Sequence, residues 1–346
     1  MNAVRPSLVD LALGARKVLI LGNGGGGDVI QGVPVLNLLR TLGKHDVIVG
    51  GVNCAWVDDD SGAPQEESSN PDPATFVLGP TLYPLDDLTD SVRLKPHVAT
   101  VSPTSRLYGH VTAEVIVARQ HDIPAIVVDL ADGVGAAASD LDAWVAEQGI
   151  DLVIASDCGS DSFYTGAEVT PAHTSLVDMM TMGVLSRLSV PTIFCLGGYG
   201  VDGELLLDEL ERNVAAAMRG GAFIGGWGLT QKDVADIEAA CADYADPVLV
   251  FVPRAARGDI GWVKVKTVGP WGLPMRLTPM AAFMLFFDTR ALIESVATTV
   301  PRIAAAPTLA EAEDIFESTF GSPPETRLVK VARLRRTVAP TPSAVT

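Results

Sequence analysis

The chain has 346 residues, of which 48% are hydrophobic and 19% charged, ample apolar material for a sizeable buried core and the wrong balance for a disordered chain. Its 42 acidic against 25 basic residues give a formal charge of −17. That disfavours nucleic acid as a partner, because a nucleic-acid binder needs a basic footprint and no Lys/Arg cluster occurs before the extreme C-terminus.

The first residues, MNAVRPSLVDLALGARKVLIL, lack the continuous apolar stretch and cleavage site of a signal peptide. The apolar run MAAFMLFF near the other end is too short to span a bilayer. Cys54, Cys158, Cys195 and Cys241 show no zinc spacing, as expected of reduced thiols. A soluble, cytoplasmic protein with no membrane partner is the expectation, and a homo-oligomer is compatible with it.

From residue 17 to about 252, short β-branched runs alternate with helical patterns. KVLILG from Lys17 is a continuous apolar run ending in glycines, the pattern of a strand buried on both faces. VIQGVPVLNLLRTLG follows, with Val29, Val33, Leu36 and Leu39 at helical spacing, then the strand DVIVGGV from Asp46. Residues 53–93 are rich in Asp, Pro, Ser and Gly and read as a long excursion, with TFVLG as a short edge strand. Helices are expected over 113–120, 136–148, 175–188, 203–219 and 231–244. Between them lie the strands PAIVVDL, DLVIASD, PTIFCLG, AFIGGWG and, last, PVLVFV from Pro247.

After Pro253 the pattern changes. WVKVKTV and MRL flank GPWGLP as a hairpin, helices are expected over 278–295 and 309–319, and LVKVARLRR resembles a strand. Strand–helix repetition of this kind predicts a doubly wound, mostly parallel α/β sheet, Rossmann-like, with helices on both faces and a C-terminal hairpin-and-helix elaboration. One domain over 1–336 is expected, with its core at 17–252, the elaboration at 253–336 and a disordered tail at 337–346.

Four loops carry candidate chemistry. The first runs Gly22-Asn23-Gly24-Gly25-Gly26-Gly27-Asp28 between a strand and a helix. It fits the G-x-G-x-x-G pattern, in which glycines admit a ligand to the backbone and the helix start offers N–H groups. A dinucleotide site also wants an acid at the end of the second strand, where Asn53 stands instead. This weakens NAD(P) as the cofactor. Asp28, in the first helical turn, is either a cap or a contact to a metal or ligand.

The second loop, Ser156-Asp157-Cys158-Gly159-Ser160-Asp161-Ser162, sets two carboxylates four apart among hydroxyls. It suits a hard divalent cation such as magnesium or manganese, an amine or polyol, or a purely structural turn network. The segment after it adds Tyr164 and His173. The third loop, Gly197 to Glu204, brings Tyr199, Asp202 and Glu204, with Asp202 also readable as a helix cap. The fourth, VVDLADGVG, brings Asp129 and Asp132. In an open parallel sheet these loops share one edge, where ligands bind. Carboxylates gathered there repel one another unless a cation or a raised pKa relieves them.

Across these loops the chain resembles the family catalogued as domain of unknown function 1152, found in archaea and some bacteria. LILGNGGGGDVIQGVPV, SDCGSDSF with the downstream TSLVDMM, GVDGELL and GGWGLT carry the resemblance, which runs from about Lys17 to Leu292. Ser160 departs from it, since glycine is expected at that place. The resemblance implies a Rossmann-like fold and a site around these loops, and it brings no reaction with it.

The leading functional expectation is a small-molecule enzyme, of a biosynthetic or other metabolic pathway, acting on a polar or nucleotide-like metabolite by metal-assisted hydrolysis or group transfer. Asp28, Asp157 and Asp161 are the expected metal ligands, and one of them or His173 the general acid/base. Asn23, Gly24, Gly25, Gly26, Gly27, Asp132, Ser160, Tyr164, Tyr199, Asp202 and Glu204 are the expected substrate contacts. The alternatives are a non-catalytic protein that senses a nucleotide or amine, and an NAD(P)-dependent oxidoreductase.

Overall fold

A computed structural model describes residues 5–44, 46–58, 77–244, 246–265 and 273–327. Helix α1 (Leu8–Gly14) leads into strand β1 (Lys17–Gly22), whose residues beyond Lys17 are all buried, as the unbroken apolar run requires. The first helical stretch divides at Gly32 into α2 (Gly27–Gln31) and α3 (Val33–Thr41). After β2 (Asp46–Val52), the excursion contains a separate two-stranded ribbon, β3 (Cys54–Asp58) with β4 (Val77–Leu82). The antiparallel pair β5 (Leu88–Lys95) and β6 (Val98–Leu107) follows. The sequence reading assigned neither strand of this pair.

Then come α4 (Ala113–His121), β7 (Ala125–Val128), α5 (Val134–Gln148), β8 (Leu152–Cys158), α6 (Leu176–Leu185), β9 (Thr192–Gly197), α7 (Leu207–Arg219), β10 (Phe223–Gly228) and α8 (Gln231–Asp243). The last of these opens on a capping box, in which the Thr230 hydroxyl accepts from the Asp233 amide and the Asp233 carboxylate accepts from that of Thr230.

Two expectations fail here. PVLVFV is a turn running into helix α9 (Phe251–Ala256). Asp246 Oδ1 accepts the Val248 and Leu249 amides at 2.8 and 2.7 Å and bends the chain. Pro253 falls in the first turn of the helix, where no amide is needed. The second failure is the helix expected over 278–295. Beyond the ribbon β11 (Gly261–Val265) with β12 (Leu273–Leu277), a 3₁₀ turn leads into strand β13 (Phe283–Asp288) and then helix α10 (Thr289–Ser295). Short apolar runs do not distinguish strand from helix by period, and here a vacant place in the sheet decides. Helices α11 (Val300–Ala305) and α12 (Leu309–Phe320) complete the described fold. LVKVARLRR and the tail at 337–346 lie outside the described residues.

The central sheet has nine strands in the order β10-β13-β9-β8-β1-β2-β7-β6-β5. The middle five are parallel, and β13 and β6 at their two sides run against them, each pairing in turn antiparallel with an edge strand, β10 or β5. Helices α2, α4 and α8 pack together on one face, with α3 beside α8; α5, α6 and α11 pack on the other. From β1 the chain moves outward through β2 and β7, then returns to place β8 and β9 on the opposite flank of β1. The two directions part between β1 and β8, and there the loops splay to leave a crevice.

Candidate active site

The register pairs Gly22 with Ser156, and the Asn23 amide donates to the Ser156 carbonyl at 2.8 Å. The first and second loops therefore leave the sheet side by side. Asp28 ties them together: its Oδ2 accepts the Gly25 amide at 3.0 Å and its Oδ1 the Cys158 amide at 2.9 Å. Asp28 is thus both cap and crevice wall. Asp178, in the first turn of α6, completes the group.

Asp28, Asp157 and Asp178 each offer an oxygen within 4.8 Å of the others. Asn23 holds the set from below, its Nδ2 donating to Ser162 Oγ at 2.9 Å and reaching Asp178 Oδ1 at 3.3 Å. Ser162 in turn hydrogen-bonds Asp157. The other oxygen of Asp157, Oδ2, is buried with no hydrogen-bond partner among the described residues, a costly arrangement unless something else meets it.

The glycines serve the carboxylates. A Cβ on Gly24 would stand 2.7 Å from Asp28 Oδ2 and 2.8 Å from Asp178 Oδ1, and one on Gly27 would stand 2.5 Å from Asp246 Oδ2. Asp246 also accepts the Gly27 amide. Two amides at this loop and helix start, those of Gly25 and Gly27, which a dinucleotide would use, are occupied by the protein's own acids.

Gly24, Gly25, Gly27, Asp28, Asp157, Cys158, Asp161, Thr174, Asp178, Asp202, Asp246 and Val248 line the crevice, so no described Lys, Arg or His does. Burial, then the charge of Asp157, holds Asp28 well above the usual carboxylate range, and the same two causes act at Asp178. Burial followed by the charge of Asp178 raises Asp161; burial lifts Asp157 to about 7. The Cys158 thiol is pushed up by burial and then by Asp246, so it is no activated nucleophile. The free interior volume is about 50 Å³. A single water needs roughly 10–15 Å³ by this measure, so the crevice has room for a few water-sized groups and no more.

Of the expected ligands, Asp28 and Asp157 belong to the triple. Asp161 lines the crevice but lies outside the triple, and Asp178 takes its place. Asp202 lines it too, heavily hydrogen-bonded. Its carboxylate accepts the Ser160 amide and hydroxyl at 2.8 and 2.7 Å and the amides of Asp161 and Glu204 at 3.2 and 3.3 Å. Asn23, Gly26, Ser160, Tyr164 and Glu204 are not among the lining residues. The Tyr164 hydroxyl reaches the Glu204 carbonyl at 2.8 Å, and the Glu204 carboxylate takes the Thr174 hydroxyl and the His173 and Thr174 amides.

His173 is half-buried, with burial lowering its pKa, and is not part of the lining; nor is Tyr199, which packs into the core. Asp132 is exposed and stands 3.5 Å from His97. Sequence reasoning missed Asp178, Asp246 and Glu325. For Asp178 a signal existed, because it is the only charge in the apolar helix LVDMMTMGVL.

Fold and crevice together define a Rossmann-like α/β protein with an acid-lined pocket at the switch point of its sheet. A model of the family described as protein of unknown function DUF1152 matches residues 74–322, and the chain belongs to that family. The matched span begins after the first Gly-rich loop and ends before Glu325. No curated protein and no solved structure matches the chain. Among the described residues, no helix is long and apolar enough to cross a membrane.

Proposed function

We propose that the chain is a metabolic enzyme that holds a divalent cation, magnesium or manganese, between Asp28, Asp157 and Asp178. The cation serves hydrolysis or group transfer on a small polar metabolite. The observation that carries this reading is the triple itself: three carboxylates, Asp157 and Asp178 buried and Asp28 partly so, with oxygens within 4.8 Å, one of those residues with an unpartnered oxygen, and no described cationic side chain in the lining. Hard oxygen ligands suit these ions. A bound cation would relieve the repulsion that now raises the carboxylates, polarise a substrate oxygen and lower the pKa of a bound water.

The dinucleotide reading gains nothing from the geometry, because Asp28 and Asp246 already occupy the Gly25 and Gly27 amides of the first loop. We place the protein in the cytoplasm, where four unpaired cysteines are at home. A calorimetric titration with Mn²⁺, paired with a thermal shift reversed by EDTA, tests the reading. Wild-type protein should bind, and Asp178→Asn should lose at least about 100-fold in affinity, or about 2.7 kcal/mol. Wild-type protein that binds neither Mn²⁺ nor Mg²⁺ at millimolar concentration would overturn it.

A further inference from the structure

The crevice also constrains the substrate's charge. Backbone amides at this edge, the groups that would otherwise grip a phosphate, are repeatedly taken by internal carboxylates. Asp28 accepts from Gly25 and Cys158, Asp202 from Ser160 and Asp161, and Glu325 from Leu176 and Val177. An anionic substrate would find these amides already engaged and no lining Lys or Arg among the described residues, and it would add charge to an already acidic pocket.

Asp161 differs from its neighbours. It is only 8% exposed and lines the crevice, yet its sole hydrogen-bonding contact as a side-chain acceptor among the described residues is the Thr174 hydroxyl at 3.4 Å. Asp202, one loop away, is met by four donors. With about 50 Å³ of free volume, the pocket takes a head group and leaves the rest of a ligand outside.

We infer that the substrate is a primary amine, whose ammonium group enters the crevice and rests on Asp161, next to the cation held by Asp28, Asp157 and Asp178. This rests on reading the triple as a cation site. An ammonium brings donors to a carboxylate that has few, and charge-assisted bonds of this kind are the strong ones. The same ammonium repels a divalent ion, a cost that the carboxylates lining the pocket offset.

The test titrates wild-type protein, with and without Mn²⁺, with 1,3-diaminopropane, 1,3-propanediol and pyrophosphate. The diamine should bind at least about tenfold more tightly than the diol, and pyrophosphate should be the weakest without metal. Asp161→Asn should bring the diamine down to the level of the diol while changing Mn²⁺ affinity less than about threefold. A diamine no tighter than the diol in wild-type protein overturns the inference, whether or not the variant folds; so does an Asp161→Asn protein that keeps its diamine affinity. Failure to bind Mn²⁺ is a separate result and counts against the cation reading alone.

Discussion

The loops after β1 and after β9 share one formula, a run of glycines followed by acids at a helix entrance, and the structure uses them differently. Asp28 in the first accepts two backbone amides, one on each oxygen, and still shares the crevice with Asp157 and Asp178. Asp202 in the other accepts three amides and a hydroxyl, and Glu204 two amides and a hydroxyl. A carboxylate saturated by donors is a structural bracket, and one left with spare lone pairs is available for chemistry. Position in the motif does not separate the two roles; the count of nearby donors does.

The largest expected effect comes from breaking the bracket. Asp202→Ala strands the Ser160, Asp161 and Glu204 amides in the interior. It should cost about 3–5 kcal/mol in urea unfolding, far more than Asp28→Asn, which keeps the shape of the side chain. If Asp202→Ala were neutral, the contrast between the loops would collapse.

Next comes pH. Burial lifts Glu325, which accepts the amides of Leu176 and Val177, to about 8. Its folded-state pKa lies above the unfolded one, so its contribution is complete at acid pH and lost as pH rises through 8. In EDTA, Glu325 should take about 2–4 kcal/mol from the unfolding free energy between pH 5 and pH 8; Glu325→Gln should lessen the slope by that amount and leave the part that the raised Asp157 contributes. A slope unchanged by the substitution assigns the titration elsewhere.

Gly24→Ala places a methyl between Asp28 and Asp178 and should spread the triple. A stability loss of about 1–3 kcal/mol and a fall of at least about tenfold in Mn²⁺ affinity are expected, read by chevron analysis and calorimetry. The smallest effect belongs to Tyr164→Phe, which removes a buried hydroxyl from the Glu204 carbonyl. It should cost about 1 kcal/mol and leave Mn²⁺ affinity as it was, and a change in that affinity would return Tyr164 to the site.

Much of this was legible in the residues. The continuous apolar run of β1, the glycines that end it and the alternation through β9 were sufficient for a parallel sheet, because burial on both faces leaves a distinctive unbroken pattern. The edge carrying the loops followed from that, and with it Asp28, Asp157, Asp161 and Asp202. The strand β13 and the helix α9 were not legible: runs of six apolar residues satisfy either period, and the neighbour that accepts them is distant in sequence.

Asp178 and Glu325 stayed hidden for a related reason. Asp178 lies on helix α6, and Glu325 lies beyond helix α12 after the turn at Gly321, both outside the loops that follow the strands, and only packing brings them to the strand ends. Periodicity and turn chemistry are local properties, so the layer architecture and the acidic, glycine-rich edge follow from the residues in order along the chain. Which carboxylates became brackets and which stayed open was settled by packing. A hydrogen-bond donor count depends on loops meeting in space: Gly25 reaches Asp28 within its own loop, but Cys158 meets Asp28 because β8 lies beside β1.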